Sequence, residues 1–159
     1  MNLDLESADV LDLGCGLEKV EEAFGVDHPD KPDRLTEADF RHNLEDTPYP
    51  WNDNSVSKIY LKDVLEHIET PLKVIGECYR ILEKGGELVV EVPQSDPPRT
   101  NPFHKHEFAD KWFYAFDPTR DEWAKGYQIN DSVKFKVNID IDYKFRKKIL
   151  PLLPLYWFK

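Results

Sequence analysis

Val10-Leu11-Asp12-Leu13-Gly14-Cys15-Gly16 joins a short apolar run to a glycine-rich turn. Such a run, ended by glycine, is the pattern of a buried strand. Glycine just beyond a strand lets the backbone approach a ligand closely and adopt torsions closed to other residues. A dinucleotide turn would carry a third glycine, as G-x-G-x-x-G, to dock a pyrophosphate at the helix end. Lys19 stands at that position. The acid for a nicotinamide ribose is expected about 20 residues further on, whereas Asp27 comes sooner. A nucleoside without phosphates suits this turn better.

Working outward, Gly25-Val26-Asp27 reads as a second short strand and residues 39–44 as a third. Ile59-Tyr60-Leu61 reads as a fourth strand. Leu88-Val89-Val90-Glu91-Val92, stopped by Pro93, is a fifth with high β-propensity. Between the last two lies the clearest helix. Thr70 is placed to cap it and Pro71 suits its first position. Leu72, Ile75, Tyr79 and Leu82 fall on one face, and Gly85-Gly86 ends it. Gly76 inside the helix suggests close packing on a sheet. By contrast, the stretch from Leu17 to Phe24 is short for a crossover helix, since parallel strands are normally joined by about a dozen residues or more. Alternating strands and helices imply a parallel sheet.

The tail has another rhythm. Val133, Phe135, Val137, Ile139 and Ile141 alternate with polar residues, as in a half-buried antiparallel strand. Tyr127-Gln128-Ile129 could pair with it through Asn130-Asp131. The predicted fold class is α/β: a three-layer Rossmann-like sheet, mostly parallel, with a C-terminal antiparallel strand or hairpin. At 159 residues the chain fits a single domain over 1–159. Its motif core runs over 8–116, and its edge strands and apolar tail over 125–159.

The formal net charge of -10 repels phosphate backbones and argues against a nucleic-acid substrate. The basic cluster is confined to Lys144, Arg146, Lys147 and Lys148. Cys15 and Cys78 lie far apart and form no C-x-x-C, which fits a reducing cytoplasm better than a disulfide framework. The N-terminus shows no secretory pattern, and no apolar run is long enough to span a bilayer.

The residues resemble a known family. Val10 to Gly16 look like motif I of class I S-adenosylmethionine-dependent methyltransferases, close to the type 11 branch. Gly25-Val26-Asp27 is similar to that family's second-strand acid. Val64-Leu65-Glu66-His67-Ile68 resembles its leucine-glutamate-histidine signature, and residues 80–88 its helix-to-strand-five junction. Asn54-Ser55-Val56-Ser57 with Ile59-Tyr60 resembles the approach to its fourth strand. Asn43 and Ser57 stand where the family usually has acids. The resemblance implies S-adenosylmethionine as cofactor and a small-molecule methyl acceptor. It implies cofactor contacts from Asp12, Gly14, Cys15, Gly16, Asp27, Asn43, Leu44 and Lys62. Asp12 would organise the methionine end, Asp27 the ribose and Asn43 the adenine. Lys62 and Asp63 follow strand four, where open parallel sheets bind ligands.

His104 and His106 are the candidates for a general base, since histidine has the right ordinary pKa to take a proton near neutrality. They follow a proline-rich loop, residues 93–102, placed to wall a substrate site. A His-x-His pair also suggests metal, but no further ligand cluster is visible and no metal is expected. Trp112, Phe113, Tyr114 and Phe116 read as core. The apolar run 149–158 folds back over the domain or meets another copy or a partner chain. A membrane-surface contact is the weaker reading. The alternative function is a degenerate cofactor-binding module that serves as subunit or sensor without turnover.

Overall fold

The computed structural model describes residues 5, 8–93, 101–119, 133–138, 140–142 and 147–154, the last two segments by backbone alone. The strands are β1 (Val10–Leu13), β2 (Phe24–Asp27), β3 (Phe40–Arg41), β4 (Val56–Lys62), β5 (Leu82–Pro93), β6 (Phe135–Val137), β7 (Asp140–Asp142) and β8 (Lys147–Pro154). They form a sheet in the order β3-β2-β1-β4-β5-β8-β6, with β7 also on β8. The first five strands pair in parallel. Strand β8 runs antiparallel to β5, β6 and β7. The expected mostly parallel sheet with an antiparallel C-terminal end is therefore present.

Strand β1 lies mid-sheet, with Leu11 opposite Phe24 of β2 and Ile59 of β4. Leu11, Leu13, Val26, Ile59, Leu61, Leu88 and Val90 are wholly buried. Residues buried on both faces of a parallel sheet read as continuous apolar runs, which is why β1 and β5 were legible.

Helix α1 (Pro71–Ile81) carries Pro71 in its first turn, as expected. Its cap differs from the expectation. The Thr70 side chain makes no cap; instead Glu45 Oε1 accepts the backbone N–H of Glu69 (2.8 Å) and Thr70 (3.0 Å). A carboxylate at a helix N-terminus satisfies orphan donors and suits the helix dipole. The buried stripe is Pro71, Val74, Ile75, Cys78 and Ile81; of the predicted face Ile75 and Leu82 are buried and Tyr79 partly so, but Leu72 is 46% exposed. The helix stops at Ile81, before Gly85-Gly86, because Leu82 turns extended and enters β5. Gly76 is open to solvent: a Cβ there would meet nothing within 4 Å. Gly86 is the glycine of that segment set by close approach, since a Cβ would lie 2.9 Å from the Ser57 carbonyl of β4.

Residues 14–23, between β1 and β2, hold turns and no helix. Asp33–Leu35 and Leu65–His67 are single 3-10 turns. Helix α2 (Asp110–Tyr114) presents Phe113, wholly buried, and is followed by Phe116. Phe113 packs edge-on against Trp112 and Phe116 against Phe135, so Phe113 and Phe116 are core, with Trp112 and Tyr114 partly buried beside them.

The apolar tail has a place inside the sheet. Leu150 and Leu152 register with Val90 and Leu88 of β5. On its other side β8 pairs with β6 and β7. The run folds back, and it does so as an inner strand. The expected alternating strand 133–141 is broken into β6 and β7. The predicted strand 127–129, most of the proline-rich loop and residues 155–159 lie outside the described residues.

Candidate cofactor site

In open α/β sheets ligands gather beyond the carboxyl ends of the strands. Here the ends of β1, β2 and β4 meet. The turn after β1 folds over β2, because the N–H groups of Gly14 (2.7 Å) and Cys15 (3.2 Å) both donate to the Val26 carbonyl. Gly14 holds φ +81°, and a Cβ there would sit 2.4 Å from Val64 Cγ2. Only glycine lets the loop after β4 close on this turn. Gly16, at φ +57°, donates its N–H to Asp27 Oδ2 at 3.2 Å.

Asp27 is 5% exposed. Its Oδ1 accepts the His28 N–H at 2.8 Å, and Lys31 Nζ lies 3.1 Å from Oδ2. Burial pushes the carboxyl up, but Thr36, the His28 amide and Lys31 outweigh it and hold the pKa below its ordinary value. Asp27 is therefore a carboxylate at neutral pH.

Two adjoining cavities share Gly14, Lys31 and Asp63. One, of about 530 Å³, is lined by Asp27, His28, His42, Asn43, Leu44 and His67 among others. The other, of about 540 Å³, is lined by Cys15, Gly16, Leu17, Lys62 and Glu91 among others. Volumes of this order hold small ligands and cofactors. Of the expected contacts, Gly14, Asp27, Asn43 and Leu44 line the first cavity, and Gly14, Cys15, Gly16 and Lys62 the second. Asn43 uses Oδ1 on the Glu45 N–H (3.1 Å). Lys62 Nζ donates to the Glu18 carbonyl at 3.0 Å.

Asp12 does not reach either cavity wall. It is 1% exposed, and its Oδ2 accepts the Val20 N–H at 2.8 Å, while Oδ1 is buried with no hydrogen-bond partner. Its burial, partly offset by the Val20 N–H and the charges of Lys62 and Lys19, raises its pKa. Lys19, at the position of the absent third glycine, lies over Gly25 and bonds Asp39 Oδ2 at 2.8 Å. Burial pushes the Cys15 thiol above its ordinary pKa, which favours the protonated form.

The histidines are sorted by the fold. His106 Nε2 faces the Glu69 carbonyl (3.3 Å). His104 packs edge-on against His67, with ring centroids 4.9 Å apart. His67, Lys31, Asp63, His28 and His42 join the cavity walls, and of these sequence reasoning offered only Asp63 as a contact to substrate or to the methionine portion. Asp63 gave a signal as the residue after β4, and His67 as part of the leucine-glutamate-histidine signature. Asp63 holds a left-handed φ of +53° between the two cavities. A strained non-glycine torsion of this kind clusters at functional sites.

The strand order, the glycine turn after β1 and the acid closing β2 define the class I S-adenosylmethionine-binding fold. A family model for the type 11 methyltransferase domain matches residues 11–90, half of the chain, and the chain belongs to that family. The chain is 31% identical over 145 residues to a protein of Mycolicibacterium smegmatis named as a probable S-adenosylmethionine-dependent methyltransferase. That match covers 79% of this chain and 54% of the relative, so the chain spans about half the relative's length. Among solved structures, a SAM dependent methyltransferase from Archaeoglobus fulgidus superposes with TM-score 0.64 at 14% identity, over 91% of this chain and 85% of that one. A chain from the complex between the Haloferax volcanii Trm112 methyltransferase activator and a methyltransferase candidate gives 0.61 at 15% identity, over 92% and 82%. Both are likenesses of fold. The family's cofactor is S-adenosylmethionine, and the buried Asp27 beside the Gly14-Cys15-Gly16 turn fits its nucleoside. No helix among the described residues is long and apolar enough to cross a membrane.

Proposed function

We propose that this chain binds S-adenosylmethionine across the two joined cavities and passes its methyl group to a small-molecule acceptor. The observation that carries the reading is Asp27: a buried carboxylate in the wall of a nucleoside-sized cavity, beside Gly14 and Gly16. The cofactor supplies an electrophilic methyl on a positively charged sulfur leaving group. Asp27 receives the ribose hydroxyls once the half-exposed Lys31 swings aside. Asn43 and Leu44 border the adenine. The backbone of Gly14, Cys15 and Gly16 would hold the methionine end, to whose carboxylate and ammonium Lys62 and Glu91 would offer opposite charges. Asp12 serves the site by tying down the loop at Val20.

Alignment and exclusion of water do most of the chemistry in such a transfer, with at most one general base. That base comes from the 104–106 segment. His104 stands beside the cavity residue His67, whereas His106 turns to Glu69. The buried, unpaired thiols of Cys15 and Cys78 suit the proposed cytoplasmic setting. One observation favours the alternative of a binding module without turnover: Lys31 already pairs with the acid that the ribose needs. The fold's likeness to a chain from an activator complex suggests that a partner protein could complete the site.

Calorimetry with S-adenosylmethionine and S-adenosylhomocysteine tests the reading. We expect micromolar binding to the parent and its loss in Asp27→Ala. Turnover of the bound cofactor against an acceptor panel then separates enzyme from module. No binding by the parent chain sinks the proposal that the chain holds the cofactor by itself.

A further inference from the structure

The turn Leu65–His67 follows β4 and places Glu66, 1% exposed, beside His67. The segment after β5 returns to this turn. The N–H groups of Lys105 (2.6 Å) and His106 (3.3 Å) both donate to the Glu66 carbonyl. Main-chain bonds thus fix His104 against the residue that supplies the carboxylate. One donor atom each from Glu66, His67 and His104 lies within 4.8 Å of the others. We propose that these three side chains form a divalent metal site of the two-histidine, one-carboxylate kind, at the wall of the nucleoside cavity.

The chemistry of the donors supports an ion rather than a chance cluster. The rings of His67 and His104 meet at 77°, which sets the two imidazoles edge to face at this corner. His67 Nδ1 lies 3.1 Å from the Phe103 carbonyl. Donation from Nδ1 leaves Nε2 with its lone pair, the arrangement that orients histidine ligands in metal sites. Asn101 Oδ1 accepts the Phe103 N–H at 3.0 Å, which directs its Nδ2 at His104 Nε2, 2.8 Å away. His104 Nε2 is therefore an acceptor, and an ion would compete with Asn101 for it.

Zinc bonds of about 2.1 Å in a tetrahedral site separate donors by roughly 3.4 Å. Donors now within 4.8 Å of one another would draw together by up to about 1.4 Å to reach that spacing. Three protein ligands leave one position open, as in catalytic rather than structural zinc sites. His67 lines the cavity with Asp27 and Asn43, so that position faces ligand space. It suits an oxygen or nitrogen lone pair on a small acceptor. The donor set admits Zn²⁺ and its neighbours Co²⁺, Fe²⁺ and Mn²⁺. With an ion in place, His104 acts as ligand and not as base.

The inference goes beyond the methyl-transfer reading, and ion binding does not depend on the cofactor. After treatment with a chelator, the whole chain is titrated with Zn²⁺ by calorimetry and with Co²⁺ by visible absorption. We expect one equivalent of each, with the intense low-coordinate Co²⁺ bands. His67→Ala, His104→Ala and Glu66→Gln should each weaken Zn²⁺ binding at least tenfold, while His106→Ala should not. Far-UV circular dichroism identifies any variant that fails to fold, and the partly exposed His67 keeps one arm safe from that outcome. The absence of saturable uptake at one equivalent overturns the site. So does parental affinity in both folded histidine variants.

Discussion

Two crossovers flank the paired cavities, and they are built differently. From β4 to β5 the chain uses helix α1, with Glu45 bonding the N–H groups at its start. From β1 to β2 it uses turns, with the buried Asp12 bonding the Val20 N–H. Gly14 and Cys15 share the Val26 carbonyl, and Lys19 reaches across to Asp39. A parallel crossover must give its backbone donors partners and return the chain in register. A helix meets that demand locally. The helix-free crossover meets it with carboxylates and carbonyls from the strands themselves. It leaves the glycine turn bare to the cavities, and Leu17 in it is 55% exposed.

The largest effect should fall on the helix-free crossover. Gly14→Ala should lose about 3 kcal/mol in urea unfolding, from a left-handed torsion and overpacking against Val64. Adding Val64→Ala should restore the packing part but not the torsional part. A neutral Gly14→Ala would mean that this turn is not pinned.

Asp12 comes next. Asp12→Ala strips the Val20 amide of its partner and should cost about 2 kcal/mol. Asp12→Asn keeps an acceptor and should be neutral or stabilising at pH 7. The sign follows from burial: with its folded pKa raised above 3.8, Asp12 contributes stability at low pH that is lost as pH rises through the raised value. Asp12→Asn should flatten that decline.

Asp27 should show the opposite slope. Its folded pKa lies below 3.8, so its contribution is present above that value and lost as pH falls through the lowered one. Asp27→Asn should flatten the acid limb of a stability-against-pH curve. Parallel curves for the Asp12 and Asp27 variants would contradict the environments described here.

The helical crossover should respond more mildly. Glu45→Ala should cost about 1 kcal/mol, the usual worth of a helix cap. Gly76→Ala, in open space on α1, should stabilise by about 0.5–1 kcal/mol. Thermal melting of the pair decides whether α1 is improvable where the turn after β1 is not.

Several features were legible because their cause is local. An apolar run closed by glycine makes β1, the acid at the end of β2 follows its strand, and Pro71 opens a helix wherever the period allows. The face of α1 was less legible. Leu72, Ile75, Tyr79 and Leu82 keep helical spacing as well as the buried stripe does, and only contact with the sheet selects between them. Thr70 looked like the cap because it is adjacent in sequence; Glu45, far back in the chain, arrives through the fold. The His104–His106 spacing suggested a pair, yet the backbone bonds to Glu66 bring His104 to His67 and turn His106 away.

The sequence by itself determined the class of fold, the glycine turn and the acid that closes β2, because strand, turn and capping chemistry act over a few residues. Tertiary structure alone decided that the apolar tail becomes an inner strand, that Lys31 rests on Asp27, that Asp12 ties a loop instead of lining a cavity, and that Glu66, His67 and His104 share a corner. Those outcomes depend on hydrogen bonds and burial between segments distant along the chain. Periodicity within one segment carries no record of its partners.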